Sequence, residues 1–472
     1  MRPDPLRPIH CIGFFLYAFG HVTDGEITYE EKEQIIKQLK IWSPEDVCPD
    51  FDALVSEIVE WYADVYDSGQ AEMQKTVGFC AGSIKIFFEA QKPTASEIVK
   101  KQFIDALVDI AKTDGIIKLE PYSMRSNEKN QIFLECMQKS VQFHYKNCNQ
   151  YRDFCIKRKF DPFEKCSIES IPFLPVSIFK KLELLSVPKN EIIRTIHSSS
   201  TSGNLPSIIN LDKITTRRQI ITLNSILKNY FGDEKLSFLI FDHDSTVNTV
   251  DLELSSRGSA IRGMLGFSKD FFFLLNDDLE LDLQKITDAL NIIDKKKTCI
   301  FGFTWLIYKI LTKNKNEEIK KLFQTLDNPF IIHIGGWKKL TDESVDKITF
   351  NNMVSRFFNA KSENVVDFYG MTEQLGIVYP DCSEGNKHVP IFADVLIRDI
   401  HNQQILPHRT PGFIQTLCPT PNSYPGISVL TDDIGEVLGE DDCPCGRRGK
   451  YFVFKKRSEV AEPKGCGDTL AI

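Results

Sequence analysis

Two hydrophobic patterns divide the chain. Over residues 1–124, apolar side chains recur three or four positions apart, for example at Leu54 and Ile58, and this spacing predicts amphipathic helices. Further along, short apolar runs such as residues 236–241 and 330–334 alternate with helical stretches. Strands that alternate with helices are typical of α/β layers. The expected fold is therefore multidomain, with a small all-α domain followed by a large α/β domain.

The same patterns give the domain boundaries. We expect the helical domain at residues 1–124 and a linker at residues 125–135, which opens with a polar and charged stretch. The α/β domain is expected at residues 136–456, and a short tail at residues 457–472.

An internal repeat lies in the helical domain. Residues 23–30 (TDGEITYE) match residues 113–120 (TDGIIKLE) at Thr, Asp, Gly, Ile and Glu. The simpler interpretation is a pair of helix corners, where Gly supplies the turn and Asp the cap. The alternative is a divalent-cation site, although the further oxygen ligands of an EF-hand are absent. The repeat resembles the TerB-like domain of tellurite-resistance proteins, whose acidic corners are suspected metal or sensing sites. The corresponding acidic residues are Asp24, Glu30, Asp114 and Glu120.

Composition narrows the class of protein. The 57 basic and 65 acidic residues give a net charge of −8, which is unfavourable for non-specific nucleic-acid binding. No apolar run approaches the roughly 20 residues that a membrane span needs, and no small-residue cleavage site follows the run at residues 12–19. The 13 cysteines fit thiols or metal ligands in a cytoplasmic protein. We therefore predict a cytoplasmic protein without a membrane span or a nucleic-acid partner.

A hydroxyl-rich segment follows the apolar run at residues 192–196. Residues 197–207 read HSSSTSGNLPS, and clustered hydroxyls with backbone N–H groups after a strand can surround a polyphosphate. Taken alone, the segment fits a flexible serine-rich turn better than a phosphate site. It also lacks the spacing and the lysine of a Walker loop. His197 borders the segment and could contact a phosphate or a substrate carboxylate.

Four further motifs follow in chain order. They are IGGWK at residues 334–338, DFYGMTE at residues 367–373, TDDIG at residues 431–435, and Arg457 after the apolar run at residues 451–454. Together with the hydroxyl-rich segment they offer groups for phosphate, adenine, a metal ion, ribose and an additional positive charge.

In this order the five motifs resemble those of the adenylate-forming superfamily of acyl ligases. Residues 254–258 (LSSRG), residues 335–338 (GGWK) and the sequence around Cys466 resemble the LuxE family, the acyl-protein synthetases of the bacterial luminescence fatty-acid reductase. The resemblance covers about residues 126–472, with phenylacetate–CoA ligases as more distant relatives. It implies ATP and Mg²⁺ as cofactors and attack of a carboxylate on the α-phosphorus, with release of pyrophosphate.

The resemblance also implies a role for each motif residue. Thr372 would contact the α-phosphate, Glu373 would bind Mg²⁺, and Asp433 would bind the ribose. The serine-rich segment would surround the β- and γ-phosphates, and the glycine pair and Tyr369 would hold the adenine. The full ATP-binding set is Ser199, Ser200, Thr201, Ser202, Gly203, Gly335, Gly336, Tyr369, Gly370, Asp433 and Arg457.

The sequence departs from the wider superfamily in two respects. The lysine that usually ends the phosphate loop is missing, and only 15 residues follow Arg457, so the usual C-terminal lid with its catalytic lysine is expected to be absent. A different thiol must then receive the acyl group. Cys466 lies between Gly465 and Gly467, which predicts an unhindered thiol. By the resemblance it would accept the acyl group as a thioester and pass it to a partner, typically a reductase.

A second cysteine pattern predicts a metal site. Cys382, His388, Cys443 and Cys445 supply three thiols and one imidazole, the number and type of ligand that tetrahedral zinc requires. A similar arrangement occurs among phenylacetate–CoA ligase relatives. Four protein ligands leave no open position, so the zinc would be structural. The alternative is a set of unmetallated core thiols.

The combined prediction is an ATP-dependent acyl-protein ligase that acts on a fatty or other hydrophobic carboxylic acid. The helical domain would supply regulation, sensing or docking. Two alternatives remain open. One is a non-catalytic stress or scaffold protein with a degenerate ligase domain, which the missing loop lysine favours. The other is an adenylating ligase that passes the acyl group to CoA or a carrier protein.

Overall fold

The chain divides into two units, Met1–Lys118 and Leu119–Ile472. The structure is a computed structural model, which describes residues 2–3, 6–24, 29–42, 51–89, 120–198, 206–232, 234–247, 253–314, 316–337 and 343–458. Within these residues, no helix combines the length and the apolar character needed to cross a bilayer.

The described part of the first unit is helical, as predicted. Its helices are α1 (Pro8–Asp24), α2 (Tyr29–Trp42), α3 (Phe51–Asp67) and α4 (Gln70–Glu89). Leu54 and Ile58 are buried in the core that these helices share, and the rings of Phe14 and Trp61 lie 4.5 Å apart. A Cβ atom at Gly13 would lie 2.6 Å from Ile58 Cδ1, so α1 and α3 pack closely because residue 13 has no side chain.

The second unit mixes helices and strands. Its helices are α5 (Ser126–Asn147), α6 (Asn149–Lys157), α7 (Ile178–Lys181), α8 (Lys213–Phe231), α9 (Ser256–Leu265), α10 (Leu283–Ile292), α11 (Thr304–Lys313), α12 (Glu317–Phe323) and α13 (Lys347–Phe358). Its strands are β1 (Leu174–Pro175), β2 (Arg194–His197), β3 (Ile208–Leu211), β4 (Leu236–Phe241), β5 (Glu253–Ser255), β6 (Ser268–Phe273), β7 (Thr298–Phe303), β8 (Phe330–Ile334), β9 (Val365–Gly370), β10 (Val378–Pro380), β11 (Lys387–His388), β12 (Asp394–Arg398), β13 (Gly412–Leu417), β14 (Ser428–Glu440) and β15 (Lys450–Arg457). The mixed α/β prediction is confirmed.

One sheet is parallel except at one edge. Its strand order is β10-β9-β8-β7-β4-β6, and only the β9–β10 pair is antiparallel. All six residues of β4 are buried. Phe238 and Ile240 pack with α8 and α9, whereas Leu239 and Phe241 pack with α10, α11 and α13. Helices therefore cover both faces of this sheet, as continuous apolar strands require.

The second large sheet is mostly antiparallel. Its order is β11-β15-β14-β13-β12, and β1 adds to β14 in parallel. Every residue of β12 and β13 is buried. A small third sheet has the order β3-β2-β5. The candidate site uses loops and strand ends from all three sheets.

Candidate functional site

The glycine pair and the aromatic motif lie at the ends of adjacent parallel strands. Ile334, the last residue of β8, pairs with Phe368 of β9. Gly335 and Gly336 therefore follow β8 beside Tyr369. Gly335 has a φ angle of +83°, which favours glycine, and a Cβ at Gly336 would contact nothing within 4 Å. The predicted adenine element thus presents bare backbone at the carboxyl edge of the sheet.

Tyr369, Asp433 and Arg457 come together from three strands. The Tyr369 hydroxyl donates to Asp433 Oδ2 at 2.9 Å, and Asp433 lies opposite Arg457 in the β14–β15 pair. The Tyr369 ring stacks on Phe454, with centroids 5.6 Å apart. Burial raises the pKa of Asp433, while Tyr369 and Arg457 act against that rise. The predicted adenine and ribose residues therefore form one contiguous group.

Glu373 and Thr372 occupy a short 3-10 turn after β9. The Glu373 side chain is buried, and burial raises its pKa. The Tyr424 hydroxyl donates to the Glu373 carbonyl oxygen at 2.8 Å, and Gln374 Nε2 donates to the Gly426 carbonyl oxygen at 2.8 Å. A Cβ at Gly426 would lie 2.9 Å from the Glu373 carbonyl oxygen. A buried carboxylate on a fixed backbone fits a hard divalent cation.

The loop at residues 421–426 holds this turn, and the sequence predictions did not include it. His144 of α5 anchors the loop, because its Nε2 donates to the Pro421 carbonyl oxygen at 3.1 Å while its Nδ1 accepts from Ser186 Oγ at 2.7 Å. Burial lowers the pKa of His144 to about 3. The available sequence signal was the run PNSYPG, which combines turn residues with one aromatic.

The predicted phosphate segment joins two paired strands. His197 of β2 pairs with Ile208 of β3. Ser198 N donates to the Ser207 carbonyl oxygen at 3.0 Å, and Ser207 N donates to Ser198 Oγ at 2.7 Å. Hydrogen bonds between Ser198 and Ser207 therefore hold the two ends of the segment together. Five of its predicted phosphate-binding residues lie outside the described residues: Ser199, Ser200, Thr201, Ser202 and Gly203.

Cys382, His388, Cys443 and Cys445 form the cysteine–histidine cluster. Their possible ligand atoms all lie within 4.8 Å of one another. The Sγ atoms of Cys382 and Cys443 are 3.9 Å apart, and Cys445 Sγ is 3.2 Å from His388 Nε2. With Zn–S bonds of about 2.3 Å, sulfur ligands of a tetrahedral zinc lie about 3.8 Å apart. The donor set and spacing therefore fit zinc.

Two glycine turns shape this cluster. Gly385 N donates to the Cys382 carbonyl oxygen at 2.8 Å, and Gly446 N donates to the Cys443 carbonyl oxygen at 3.0 Å. Both glycines have positive φ angles. Burial lowers the pKa of His388 to about 4, so its imidazole is neutral near pH 7. Burial raises the pKa of Cys382 to about 12, and a bound cation would favour its thiolate.

Comparison with known proteins identifies the family. Residues 94–472 match the family described as acyl-protein synthetase, LuxE. The chain belongs to this family. The match includes residues 94–124, which the sequence analysis assigned to the helical domain. The prediction of an acyl-protein synthetase is confirmed, whereas the TerB-like interpretation of residues 1–124 stays a prediction.

Two curated relatives in this family cover most of the chain. The long-chain-fatty-acid–luciferin-component ligase of Vibrio harveyi is 27% identical over 380 residues, which is 79% of this chain and 96% of that protein. The protein of the same description from Aliivibrio fischeri is 26% identical over 366 residues, which is 76% of this chain and 93% of that protein.

Solved structures resemble the larger part of this chain in fold. An open conformation of 2-hydroxyisobutyryl-CoA ligase, in complex with 2-HIB-AMP and CoA, has a TM-score of 0.57 at 16% identity and covers 73% of this chain and 78% of that chain. The postadenylation state of that ligase has a TM-score of 0.55 at 15% identity, covering 71% of this chain and 69% of that chain. The expected fold of adenylate-forming ligases is thereby confirmed.

The structure does not test several of the predicted site residues. Cys466 and Asp114 lie outside the described residues, as do the side chains of Asp24 and Glu30. The Glu120 carboxylate accepts from Asn229 Nδ2 at 3.3 Å. The acidic-corner metal site, the absent lid and the acyl-accepting cysteine therefore stay predictions.

Proposed function

We propose that this LuxE-family chain activates a long-chain fatty or other hydrophobic carboxylic acid as acyl-AMP, using ATP and Mg²⁺. The observation that carries the proposal is the meeting of Tyr369, Asp433 and Arg457, with the buried Glu373 four positions after Tyr369 in the chain. The names of the Vibrio and Aliivibrio relatives support a long-chain fatty acid as the substrate class.

The proposed roles follow the chemistry of each group. Asp433 would accept hydrogen bonds from the ribose hydroxyls, and Tyr369 would cover the adenine beside the bare backbone of the glycine pair. Glu373 would hold Mg²⁺, which neutralises charge on the phosphates. Thr372 would donate to the α-phosphate as charge develops there. Arg457, whose side chain is 66% exposed, can reach the ribose or phosphate edge from the solvent side.

Acyl transfer would follow adenylation. In the first step a carboxylate oxygen attacks the α-phosphorus, the P–O bond to the β-phosphate breaks, and pyrophosphate leaves. In the second step the Cys466 thiolate attacks the acyl carbonyl carbon, the bond to the AMP oxygen breaks, and AMP leaves. The thioester would then supply a partner protein of the reductase type.

Pyrophosphate exchange tests the adenylation proposal. Purified protein is incubated with ATP, Mg²⁺ and labelled pyrophosphate, with and without a panel of carboxylic acids of increasing chain length. We expect label to enter ATP only when an acid is present, and most rapidly with a long-chain acid. If none of the acids in the panel supports pyrophosphate exchange, the proposal is contradicted and the scaffold alternative is favoured.

Cys466→Ala tests the acceptor separately. This variant should keep wild-type pyrophosphate exchange and lose the acyl label that neutral hydroxylamine releases, because a thioester needs the thiol. Cys136→Ala, at an exposed cysteine of α5, is the matched control and should keep the label. Full labelling of Cys466→Ala would place the acceptor elsewhere. An unlabelled wild type whose turnover CoA or a carrier protein stimulates would support the alternative acceptor.

We also propose that the cysteine–histidine cluster binds structural zinc. The close approach of three thiols and one imidazole carries this proposal. Residues 1–124 are proposed as a TerB-like module for regulation or docking.

A further inference from the structure

Two lysines and two aspartates form a chain of ion pairs beside the cysteine–histidine cluster. Lys387 Nζ lies 2.9 Å from Asp367 Oδ2 and 3.2 Å from Asp381 Oδ1. Lys347 Nζ lies 2.7 Å from Asp381 Oδ2. We call these four residues the lysine–aspartate network.

The centre of this network is withdrawn from water. The side chains of Lys387 and Asp381 are 4% and 5% exposed. Removing such charges from water is costly, and well-packed apolar residues often stabilise a core equally well. A buried lysine between two carboxylates therefore suggests a role in fixing geometry rather than in stability alone.

One end of the network is attached to the cysteine–histidine cluster. Asp381 immediately precedes Cys382, and Lys387 immediately precedes His388. Lys347 Nζ also donates to the carbonyl oxygen of Gly385 at 3.0 Å, within the turn that joins Cys382 to His388.

The other end is attached to the strand that leads into the proposed ATP site. Lys387 Nζ donates to the Asp367 carbonyl oxygen at 3.1 Å as well as to its carboxylate. Asp381 N donates to the same carbonyl oxygen at 3.0 Å. Asp367 lies on β9, two residues before Tyr369, and β10 runs antiparallel beside it with Tyr379 opposite Tyr369.

The neighbouring strand β8 also lies close to the lysine–aspartate network. His333 of β8 lies two residues before Gly335, and its Nδ1 is 3.7 Å from Asp367 Oδ1. The same nitrogen is 2.9 Å from Thr304 Oγ1. Asp367, on the strand that carries Tyr369, therefore also lies close to the strand that leads to the glycine pair.

We propose that Lys387 is a positioning residue that fixes the carboxyl end of β9, and with it Tyr369 and Glu373, against the cysteine–histidine cluster. The inference rests on the proposed function, because its readout is ATP binding. Lys387 holds both the backbone and the side chain of Asp367, so its loss removes two contacts that fix β9 two residues before Tyr369. Small displacements of groups that orient reactants lower rates strongly.

The test compares two buried lysines of the same unit. Lys387→Met removes the proposed positioning contact. Lys129→Met is the matched control, because Lys129 is 3% exposed and pairs at 3.8 Å with Asp394, which does not belong to the predicted ATP site. For both variants we would measure the Kd for ATP by equilibrium dialysis without acid, the rate of pyrophosphate exchange, and the unfolding temperature.

We expect Lys387→Met to weaken ATP binding at least about 10-fold and to slow exchange by about 100-fold. Lys129→Met should keep both within about twofold of wild type, whatever its unfolding temperature. Lys387→Arg should recover most of the ATP affinity, because it restores the positive charge. If Lys387→Met does not fold, Asp367→Asn applies the same test, since it keeps the side-chain shape and removes the carboxylate; it should weaken ATP binding at least about fivefold.

Two further outcomes separate the inference from the proposed function. If wild type binds ATP and Lys387→Met, or Asp367→Asn in its place, binds it as well as Lys129→Met does, the positioning role is wrong and the proposed function stands. If wild type neither binds ATP nor exchanges pyrophosphate with any acid, both are wrong.

Discussion

The parallel and antiparallel sheets of the second unit, Leu119–Ile472, differ in the side chains that they bury near the candidate site. The parallel sheet has an apolar interior, in which every residue of β4 is buried and alternate residues pack with helices on opposite faces. The antiparallel sheet also buries polar and charged side chains along its strands. Gln415 is fully buried, and the buried Asp394 lies 2.9 Å from Lys450 Nζ.

Both sheets supply residues of the predicted ATP site. Gly335 follows β8 and Tyr369 lies near the end of β9 in the parallel sheet, whereas Asp433 and Arg457 face each other in the antiparallel sheet. Apolar packing is tolerant of small changes, but buried ion pairs and metal ligands depend on particular partners. Damage to the cysteine–histidine cluster should therefore appear as loss of metal, damage around His144 as a change in acid stability, and damage to the nucleotide-site residues of either sheet as loss of catalysis.

Cys443→Ser should give the largest effect, on the antiparallel side. The wild type should contain about one tightly bound zinc per chain, and the variant almost none, because structural zinc binding is coupled to folding. We expect a loss of at least about 5 kcal/mol of stability and about 10 °C in unfolding temperature. Metal analysis and thermal unfolding provide the measurements.

Cys418→Ala is the control for the zinc prediction, because Cys418 is a buried free thiol outside the cysteine–histidine cluster. It should keep its zinc. Wild-type protein purified without chelator that contains no zinc would contradict the metal assignment.

Glu373→Gln, next to the parallel sheet, should impair catalysis with little change in folding. Loss of one electrostatic contact in a transition state typically lowers the rate at least about 100-fold, or about 3 kcal/mol. Pyrophosphate exchange should fall by that factor. Glu363→Gln, at a side chain 63% exposed just before β9, should exchange normally. Exchange at the wild-type rate in Glu373→Gln would exclude Glu373 as the Mg²⁺ ligand.

The buried His144 imidazole should make the stability of the second unit depend on pH. Its pKa is lowered from 6.5 to about 3 by burial, so below pH 6.5 the unfolded chain binds a proton that the folded chain does not. Stability should therefore fall as the pH drops from about 6.5 toward 3, by about 3 kcal/mol between pH 7 and pH 4.

Replacing His144 tests that prediction. His144→Gln should remove about 3 kcal/mol from the difference in unfolding free energy between pH 7 and pH 4, as measured by urea denaturation at both pH values. The half-exposed His408 offers the comparison variant His408→Gln, which should keep the wild-type difference. An unchanged pH dependence in His144→Gln would show that another group is responsible.

Tyr369→Phe should give the smallest effect, at the junction of the two sheets. It removes the hydrogen bond to Asp433 and keeps the stacking ring, so the KM for ATP should rise about 3- to 10-fold, or about 1 kcal/mol. Tyr379→Phe is the control on β10, because among the described residues the Tyr379 hydroxyl has no hydrogen-bond partner. Equal KM values for the two variants would contradict a role for the Tyr369–Asp433 contact in ATP binding.

The hydrophobic pattern predicted much of the parallel sheet. The runs at residues 236–241 and 330–334 coincide with β4 and β8, because strands buried on both faces must be continuously apolar. The family motifs also predicted that Tyr369 and Asp433 would serve one nucleotide, and the structure brings them into contact.

The polar framework could not be predicted in the same way. Lys387 and Asp381 would ordinarily be assigned to a solvated surface, and the burial of Lys387 depends on partners 6 and 20 positions away. His144 and Pro421 lie 277 positions apart, and no local pattern joins them. Such pairings follow from tertiary packing, which a single sequence does not encode in its periodicity.

Isotope transfer from the acid to AMP tests the central claim most directly. A fatty acid labelled with ¹⁸O in both carboxylate oxygens is incubated with ATP, Mg²⁺ and the full-length protein, and the released nucleotide is examined by mass spectrometry. Attack of the carboxylate on the α-phosphorus, followed by acyl transfer, leaves one labelled oxygen in AMP and none in pyrophosphate. We predict that result. Label in inorganic phosphate together with ADP, or no label in any nucleotide product, would contradict adenylation by this chain.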